Sequence, residues 1–224
     1  MCGRYTLRTH LNQLLQLYAA QSQVEWEPRY NIAPTQQVAA VRSIPDSTSR
    51  ELVLLRWGLV PAWADDLKIG NHMINARAET LAEKPSFKTA LRRRRCLVLA
   101  DGFYEWRQEG KIKQPLFIRM KDAKPFAFAG LWERWTKSGT PIETCTIITT
   151  NANTLMSELH DRMPVILSQA AADIWLDQDI EQPEPLLSLL GPYPDDEMEA
   201  YPVSTLVNSP KNESSECIVP IASE

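Results

Sequence analysis

Position 2 holds the residue with the most chemistry open to it. If Met1 is removed, Cys2 becomes N-terminal and carries two nucleophiles on adjacent carbons. The α-amine titrates at about 7.7–8.0 and the thiol at about 8.5, so both are partly reactive near pH 7. An aldehyde meeting this pair condenses with the amine to an imine, and the thiol then closes on the imine carbon to give a thiazolidine ring. On the first residues alone, the plainer reading of Cys2 as a small buried apolar side chain stays open.

Two residues could move protons. Glu105 lies in Asp101-Gly102-Phe103-Tyr104-Glu105-Trp106, where a turn would set it among aromatic neighbours. A carboxylate in apolar surroundings has a raised pKa and serves as acid or base near neutrality. The alternative is an exposed glutamate on an alternating strand. His160 is one of three histidines and stands at a predicted helix C-terminus, where the dipole favours its charged form. His10 and His72 have no such setting, and a lone histidine also reads as structural.

Other residues suit binding. Asn75 and Arg77 alternate as on one face of a short strand, and an amide beside a guanidinium suits an oxygen-rich ligand. Trp63 sits in a long Gly- and Pro-containing loop within residues 57–79, placed either to stack on a base or to cap the core. Arg92 to Arg95 cannot share one helical face. They read as a solvated helix end that suits the C-terminal dipole, or as one or two phosphate contacts.

The elements that must position these groups follow from periodicity. Leu11, Leu14, Leu15 and Tyr18 predict a helix over 10–20 with Thr9 as its N-cap. Residues 28–34 read as an extended loop. Residues 37–42 and 52–57 read as a hairpin through Pro45-Asp46-Ser47. A helix over 80–94 leads into a central strand at 96–100, and a hairpin turn is expected near Gly110 to Lys113. Strands are predicted at 116–119, 126–131, 143–149 and 201–206. Helices are predicted from Asn153 to Leu159, from Ser168 or Gln169 to Asp177, and at 185–190. The sum is an α+β fold: one domain over 2–208 with a curved, mostly antiparallel β-barrel-like core and flanking helices. A polar C-terminal tail at 209–224 is expected to fray after Lys211.

Composition narrows the class. The 224 residues are 44% hydrophobic and 23% charged, as in an ordinary globular protein. The four cysteines (Cys2, Cys96, Cys145, Cys217) form no C-x-x-C pair, so a reduced protein without structural zinc or other metal is expected. No apolar run is long enough for a bilayer span, and the start lacks the pattern of a signal peptide, so cytoplasmic placement is expected. The net charge of −4 hides an asymmetry: residues 1–162 hold 23 basic and 16 acidic side chains, and residues 163–224 hold one and 12. A basic body with an acidic last quarter can present a phosphate-binding face.

Eight short motifs in order resemble one family. They are Met-Cys-Gly-Arg-Tyr at 1–5, Arg-Tyr-Asn-Ile-Ala-Pro at 29–34, Trp-Gly-Leu-Val-Pro at 57–61 and Asn-Ala-Arg-Ala-Glu-Thr at 75–80. Then come Asp-Gly-Phe-Tyr-Glu-Trp at 101–106, Thr-Thr-Asn-Ala-Asn at 149–153, His-Asp-Arg-Met-Pro at 160–164 and Pro-Val-Ser at 202–204. Together they resemble the SOS-response-associated peptidase (SRAP) family of abasic-site processing proteins, over nearly the whole chain. The resemblance implies binding to single-stranded DNA and trapping of abasic sites as a thiazolidine crosslink through Cys2, with no cofactor. It implies that Asn75 holds the amine and forming ring, that Glu105 is the carboxylate near the amine, and that His160 helps open the sugar. Arg4 and Arg77 would hold flanking phosphates, and Trp106 and Thr149 would line the site with Trp63 nearby. An expected departure is Ala64, where some relatives carry a second aromatic after Trp63.

The implied enzyme is a monomeric crosslinking protein of the DNA-damage response, cytoplasmic and nucleoid-associated when bound. It could also carry abasic-site lyase activity and autocatalytic peptidase activity on Met1. Two other readings compete: a cysteine peptidase using Cys2 with His160 and Glu105, and a non-catalytic reader of modified DNA.

Overall fold

The computed structural model describes residues 2–45, 47–110 and 112–221. The first third of the chain contains β1 (Tyr5–Leu7), α1 (Leu11–Leu17), β2 (Ala20–Gln21), β3 (Arg29–Ile32), β4 (Gln37–Ser43) and β5 (Arg50–Trp57). The middle contains β6 (Asn75–Arg77), α2 (Pro85–Arg93), β7 (Arg95–Ala100), β8 (Gly102–Glu109), β9 (Ile112–Met120) and β10 (Phe126–Trp135). The rest contains β11 (Ile142–Asn151), α3 (Thr154–Ser157), β12 (Arg162–Pro164), β13 (Ile166–Leu167), α4 (Gln169–Leu176), α5 (Pro183–Leu187) and β14 (Met198–Pro202).

The fold is α+β, built on a closed barrel. Antiparallel pairings run from β5 to β4, β7, β10 and β11. A parallel pairing of Thr144 and Cys145 with Arg56 and Trp57 joins β11 back to β5 and closes the ring. A second sheet, in the order β14-β9-β8-β1-β3, packs beside it. The inner side is filled by aromatic rings meeting edge to face: Tyr5 with Trp57 at 5.4 Å, Tyr5 with Phe128 at 5.8 Å, and Phe103 with Phe128 at 6.0 Å. Tyr5 is fully buried. Its hydroxyl has no hydrogen-bond partner among the described residues, so it is the packing of the ring that pins the chain three residues after Cys2.

Asp101 fixes the same segment from the other side. Its carboxylate accepts from Thr6 Oγ1 at 2.6 Å, from the backbone N–H groups of Arg8 and Thr9 at 2.5 and 3.0 Å, and from Arg8 Nε at 3.0 Å. Next to it, Gly102 must be glycine, because a Cβ there would sit 2.1 Å from the Phe117 ring. Gly58 holds φ at +126° with the Gly70 carbonyl 2.5 Å from where its Cβ would be, which ties the start of the 58–74 loop to the short 3₁₀ turn at Leu67–His72.

Several local expectations shift. Thr9 does not cap α1: its hydroxyl goes to Asp101, and His10 takes the cap position without a side-chain bond. Residues 29–32 of the expected loop form β3, since β1 offers an unpaired edge. α2 starts at Pro85, where a proline suits the first helical turn, so residues 80–84 are not α-helical. The 101–106 segment bends only at Asp101 and then runs as strand β8. Asn153 caps α3 as expected, accepting from Met156 N–H at 2.9 Å, but α3 ends at Ser157. The strands at 116–119, 126–131 and 143–149 are each longer than expected. The last strand starts earlier, at Met198. Residues 212–221 are held instead of frayed. Glu213 accepts from the backbone N–H groups of Tyr30 and Asn31 at 2.5 and 2.8 Å, and Cys217 is buried. Asp46 and Lys111, in the two expected turns, lie outside the described residues.

Candidate active site

β1 places Cys2 against β6. Asn75 opens β6, which pairs in parallel with β11 so that Asn75 lies opposite Ile147 and Arg77 opposite Thr149. Asn75 Nδ2 donates to the Cys2 carbonyl at 2.9 Å. Asn75 Oδ1 is buried and has no hydrogen-bond partner among the described residues. An acceptor buried without a donor costs about 1–3 kcal/mol, and this one lies on a side chain already bonded to Cys2.

Alternation along β8 separates its side chains. Phe103 packs in the barrel core, while Tyr104 and Trp106 join the second cluster with Phe117 and Val203. Glu105 therefore shares the barrel-side face with Phe103, and it is only 5% exposed. Burial raises its pKa, against which the charge of His160 acts to lower it. Burial also pushes the Cys2 thiol far up, the Glu105 carboxylate pushes it further, and the backbone N–H of Arg4 acts the other way. Burial and the Glu105 charge therefore both favour the protonated Cys2 thiol.

His160 lies beyond α3, its backbone N–H bonded to the Met156 carbonyl at 2.8 Å. Its Nδ1 is 3.0 Å from the backbone N–H of Arg162 and 2.6 Å from Asp161 Oδ1. A neutral ring accepts from Arg162 at that atom, and a protonated one donates to Asp161. Each protonation state therefore has a partner waiting.

Arg77, Thr149 and Asn75 line an open cleft of about 290 Å³ that also includes His72, Lys84 and Ser86. Arg77 is exposed there and Thr149 is buried. Arg4 and Trp106 stand on the other face of β8. Arg4 Nη1 donates to Asn31 Oδ1 and to the Val207 carbonyl, both at 2.6 Å, with its guanidinium 5.9 Å from the Trp106 ring. Trp106 Nε1 donates to Asn208 Oδ1 at 2.7 Å. Trp63 belongs to neither group: it stands 57% exposed on its loop. Ala64 points inward, packed with Val60 and Trp135, and its carbonyl accepts from Trp135 Nε1 at 2.7 Å, so position 64 is not on the exposed face that Trp63 occupies.

Residue types alone did not single out Arg162, Glu79 or Asn31. Arg162 is buried and forks onto Glu79 at 2.6 and 2.9 Å, then onto Asn151 Oδ1 at 2.9 Å and the Thr149 carbonyl at 2.6 Å. It ties the His160 turn, β11 and the end of β6 into one block. The one available signal was that Arg162 and Glu79 are charged residues inside two of the ordered motifs. Among the described residues no cluster of His, Cys, Asp or Glu is arranged to hold a metal ion.

The family model for SOS response associated peptidase (SRAP) matches residues 1–210. The chain belongs to the SRAP family. A Bacillus subtilis relative named abasic site processing protein YoqW is 50% identical over 223 residues, covering 97% of this chain and 99% of that one. The Escherichia coli protein named abasic site processing protein YedK is 32% identical, covering 99% of this SRAP chain and all of its own. The Gallus gallus protein named abasic site processing protein HMCES is 34% identical, with 99% of this chain and 78% of that one covered. A crystal structure of a Bacteroides thetaiotaomicron protein superposes with a TM-score of 0.89 at 29% identity, over 99% of this SRAP chain and 100% of the other. The fold of the whole chain is therefore shared with that solved structure, and among the described residues no helix is long and apolar enough to cross a membrane.

Proposed function

We propose that this SRAP protein processes abasic sites in single-stranded DNA by closing a thiazolidine on Cys2 once Met1 has been removed. The observation that carries the reading is the Asn75 amide. It anchors the Cys2 carbonyl at 2.9 Å and keeps a buried, unsatisfied oxygen beside the same residue. A free α-amine brings N–H donors that a peptide nitrogen has fewer of, and Asn75 Oδ1 accepts one, aiming the nitrogen lone pair outward.

The steps then follow from the residues present. An abasic sugar is mostly a closed hemiacetal, so its aldehyde is released by acid–base help. His160, held at Nδ1 by Arg162 and Asp161, protonates the ring oxygen as its bond to C1 breaks and the anomeric hydroxyl gives its proton to water. The amine adds to the aldehyde carbon, and Glu105 carries protons as the carbinolamine loses water to give the imine. Burial raises the Glu105 pKa, which favours the protonated carboxyl that the step draws on. The Cys2 sulfur attacks the imine carbon, its proton passes to the ring nitrogen, and the thiazolidine closes. β-Elimination from the imine would instead nick the strand, which is the lyase branch. Arg77 in the cleft suits a flanking phosphate and Trp63 suits base stacking. Single strands need no base-pair opening, which favours them as substrate.

The peptidase reading has less behind it. A cysteine nucleophile of that kind works as a thiolate beside a cation, whereas burial and Glu105 both hold the Cys2 thiol protonated. Incubating the processed protein with an abasic single strand and resolving it on a denaturing gel tests the proposal. A band that survives denaturation is expected. A cleaved peptide with no DNA adduct would favour the peptidase, and neither product would favour a non-catalytic reader.

A further inference from the structure

Helix α2 begins at the cleft and ends at a second cavity. Lys84, its N-cap, and Ser86 line the cleft with Arg77. Arg92 and Arg93, in its last turn, line a cavity of about 420 Å³ together with Arg94, Arg95, Trp132 and Glu181. Nine helical residues span about 13 Å. The sheet gives a similar figure: Asn75 pairs with Ile147, Ile147 with Gly130, and Gly130 with Cys96, which follows Arg95. Three strand spacings are about 15 Å.

Basic residues recur at helical spacing along the exposed side between the two ends, beside the exposed Pro85 and Thr89. Lys84, Lys88 and Arg92 recur at i, i+4 and i+8, all exposed, and so share one face. Among the described residues none of the three has a carboxylate partner. This contrasts with Arg42, Arg50, Arg119 and Arg162, each of which is paired. Two acids flank the stripe. Glu83 precedes it, and Glu181 lies 3.6 Å from Arg93 with both side chains more than half exposed, a pair worth little in water. At the far end Arg94 gives one nitrogen to Glu133 at 2.8 Å, and its Nε stays buried without a partner among the described residues. Arg95 is structural: its donors go to the carbonyls of Leu91, Arg92, Trp175 and Asp177, leaving its charge without a bonded acid. A helix dipole is satisfied by charges in the last turn alone. A stripe that starts at the first turn and runs into an arginine-lined cavity is more than that requires.

We propose that this face of α2 is a phosphate track, carrying the DNA strand from the cleft at Arg77 and Thr149 to the arginine cavity. The ligand is the backbone of a single strand, read by charge and not by sequence, with guanidinia suited to phosphate oxygens. This rests on the DNA reading above and extends its footprint beyond the lesion.

The test is binding of undamaged single strands by fluorescence anisotropy across a salt series, using short strands of about five nucleotides and long ones of about 25. The variants are Lys88→Gln/Arg92→Gln and, for charge reversal, Lys88→Glu/Arg92→Glu. Both sites are exposed, so folding should be retained, and thermal melting checks it. Each lost phosphate contact lowers the salt slope by about 0.7. The neutral double variant should therefore lose about 1.4 from the long-strand slope, and the reversed one should bind long strands about tenfold more weakly. Short-strand affinity and crosslinking of a short abasic strand should stay at the parent level. A Lys121→Gln/Lys124→Gln control, of equal charge change away from α2, should leave the long-strand slope alone. Parent-like slopes in the α2 variants, or an equal loss in the control, would overturn the track. Failure of the functional reading shows separately, as absence of any crosslink by the parent protein.

Discussion

The Asn75 side chain donates to the Cys2 carbonyl at 2.9 Å while its own oxygen stays buried and unsatisfied among the described residues. Asn75→Leu keeps the volume and removes both functions. Crosslinking by this variant should slow by roughly 10- to 100-fold, as expected for losing one or two buried hydrogen bonds of about 1–3 kcal/mol in the reacting geometry. Melting temperature should change little, because removing the orphaned oxygen offsets the lost bond to the Cys2 carbonyl. Single-turnover crosslinking rates check it, and a parent-like rate would take Asn75 out of the chemistry.

Glu105 carries a cost that function explains. Burial raises its folded pKa above the unfolded value of about 4.3, so the folded state binds its proton more tightly. The cost to stability is full above the folded pKa and vanishes as pH falls below the unfolded one. Glu105→Gln should therefore be at least as stable as the parent at pH 7–8, with the advantage fading towards pH 4. Its crosslinking should be slower by on the order of 10²-fold with DNA affinity retained. Chemical denaturation at both pH values, beside rate measurements, tests the pairing of gain and loss.

His160→Ala should also slow crosslinking without weakening DNA binding, since Nδ1 already has a partner for each protonation state and none is DNA. Parent rates from both the His160 and Glu105 variants across pH 6–8 would mean the proton-transfer roles lie elsewhere.

Arg77 is exposed in the cleft, and its work is expected to be electrostatic. Arg77→Ala should weaken strand binding and lower the salt slope by about 0.7. An unchanged slope would remove it from the phosphate contacts.

Glu79 supports the His160 block through Arg162. The Arg162 hydrogen bond holds its carboxyl below the usual range. That stabilisation is present above the unfolded pKa of about 4.3 and is lost as pH falls through the folded one. Glu79→Gln should destabilise the protein by about 1–2 kcal/mol at pH 7, a range discounted because the Glu79 side chain is about half exposed. The gap to the parent should close below about pH 4. Denaturation midpoints along a pH series would report it.

Much of this site was legible because its parts sit in short motifs with unusual residue pairs. The Asn75–Arg77 alternation did mark a strand, and the aromatic neighbours of Glu105 did mark burial. What could not be read was which side of a strand faces what. Trp106 follows Glu105 directly, yet period-two alternation sends it to the opposite face, with Arg4. Barrel closure through Thr144 and Arg56 is a contact between residues far apart in sequence, and no local pattern encodes it. The polar stretch after Lys211 looked frayed because Glu213 reads as a surface charge until the backbone amides of Tyr30 and Asn31 are seen beneath it.

The central claim is that one residue supplies both amine and thiol. It is tested most directly by inserting a single residue before Cys2 so that the thiol stays and the amine moves away. Adduct yield on an abasic single strand is then read by intact mass after denaturation, beside Cys2→Ala. The account predicts no stable adduct from the extended protein. From Cys2→Ala it predicts none either, except an imine that borohydride captures. A stable adduct formed by the extended protein at the parent yield would contradict the thiazolidine mechanism.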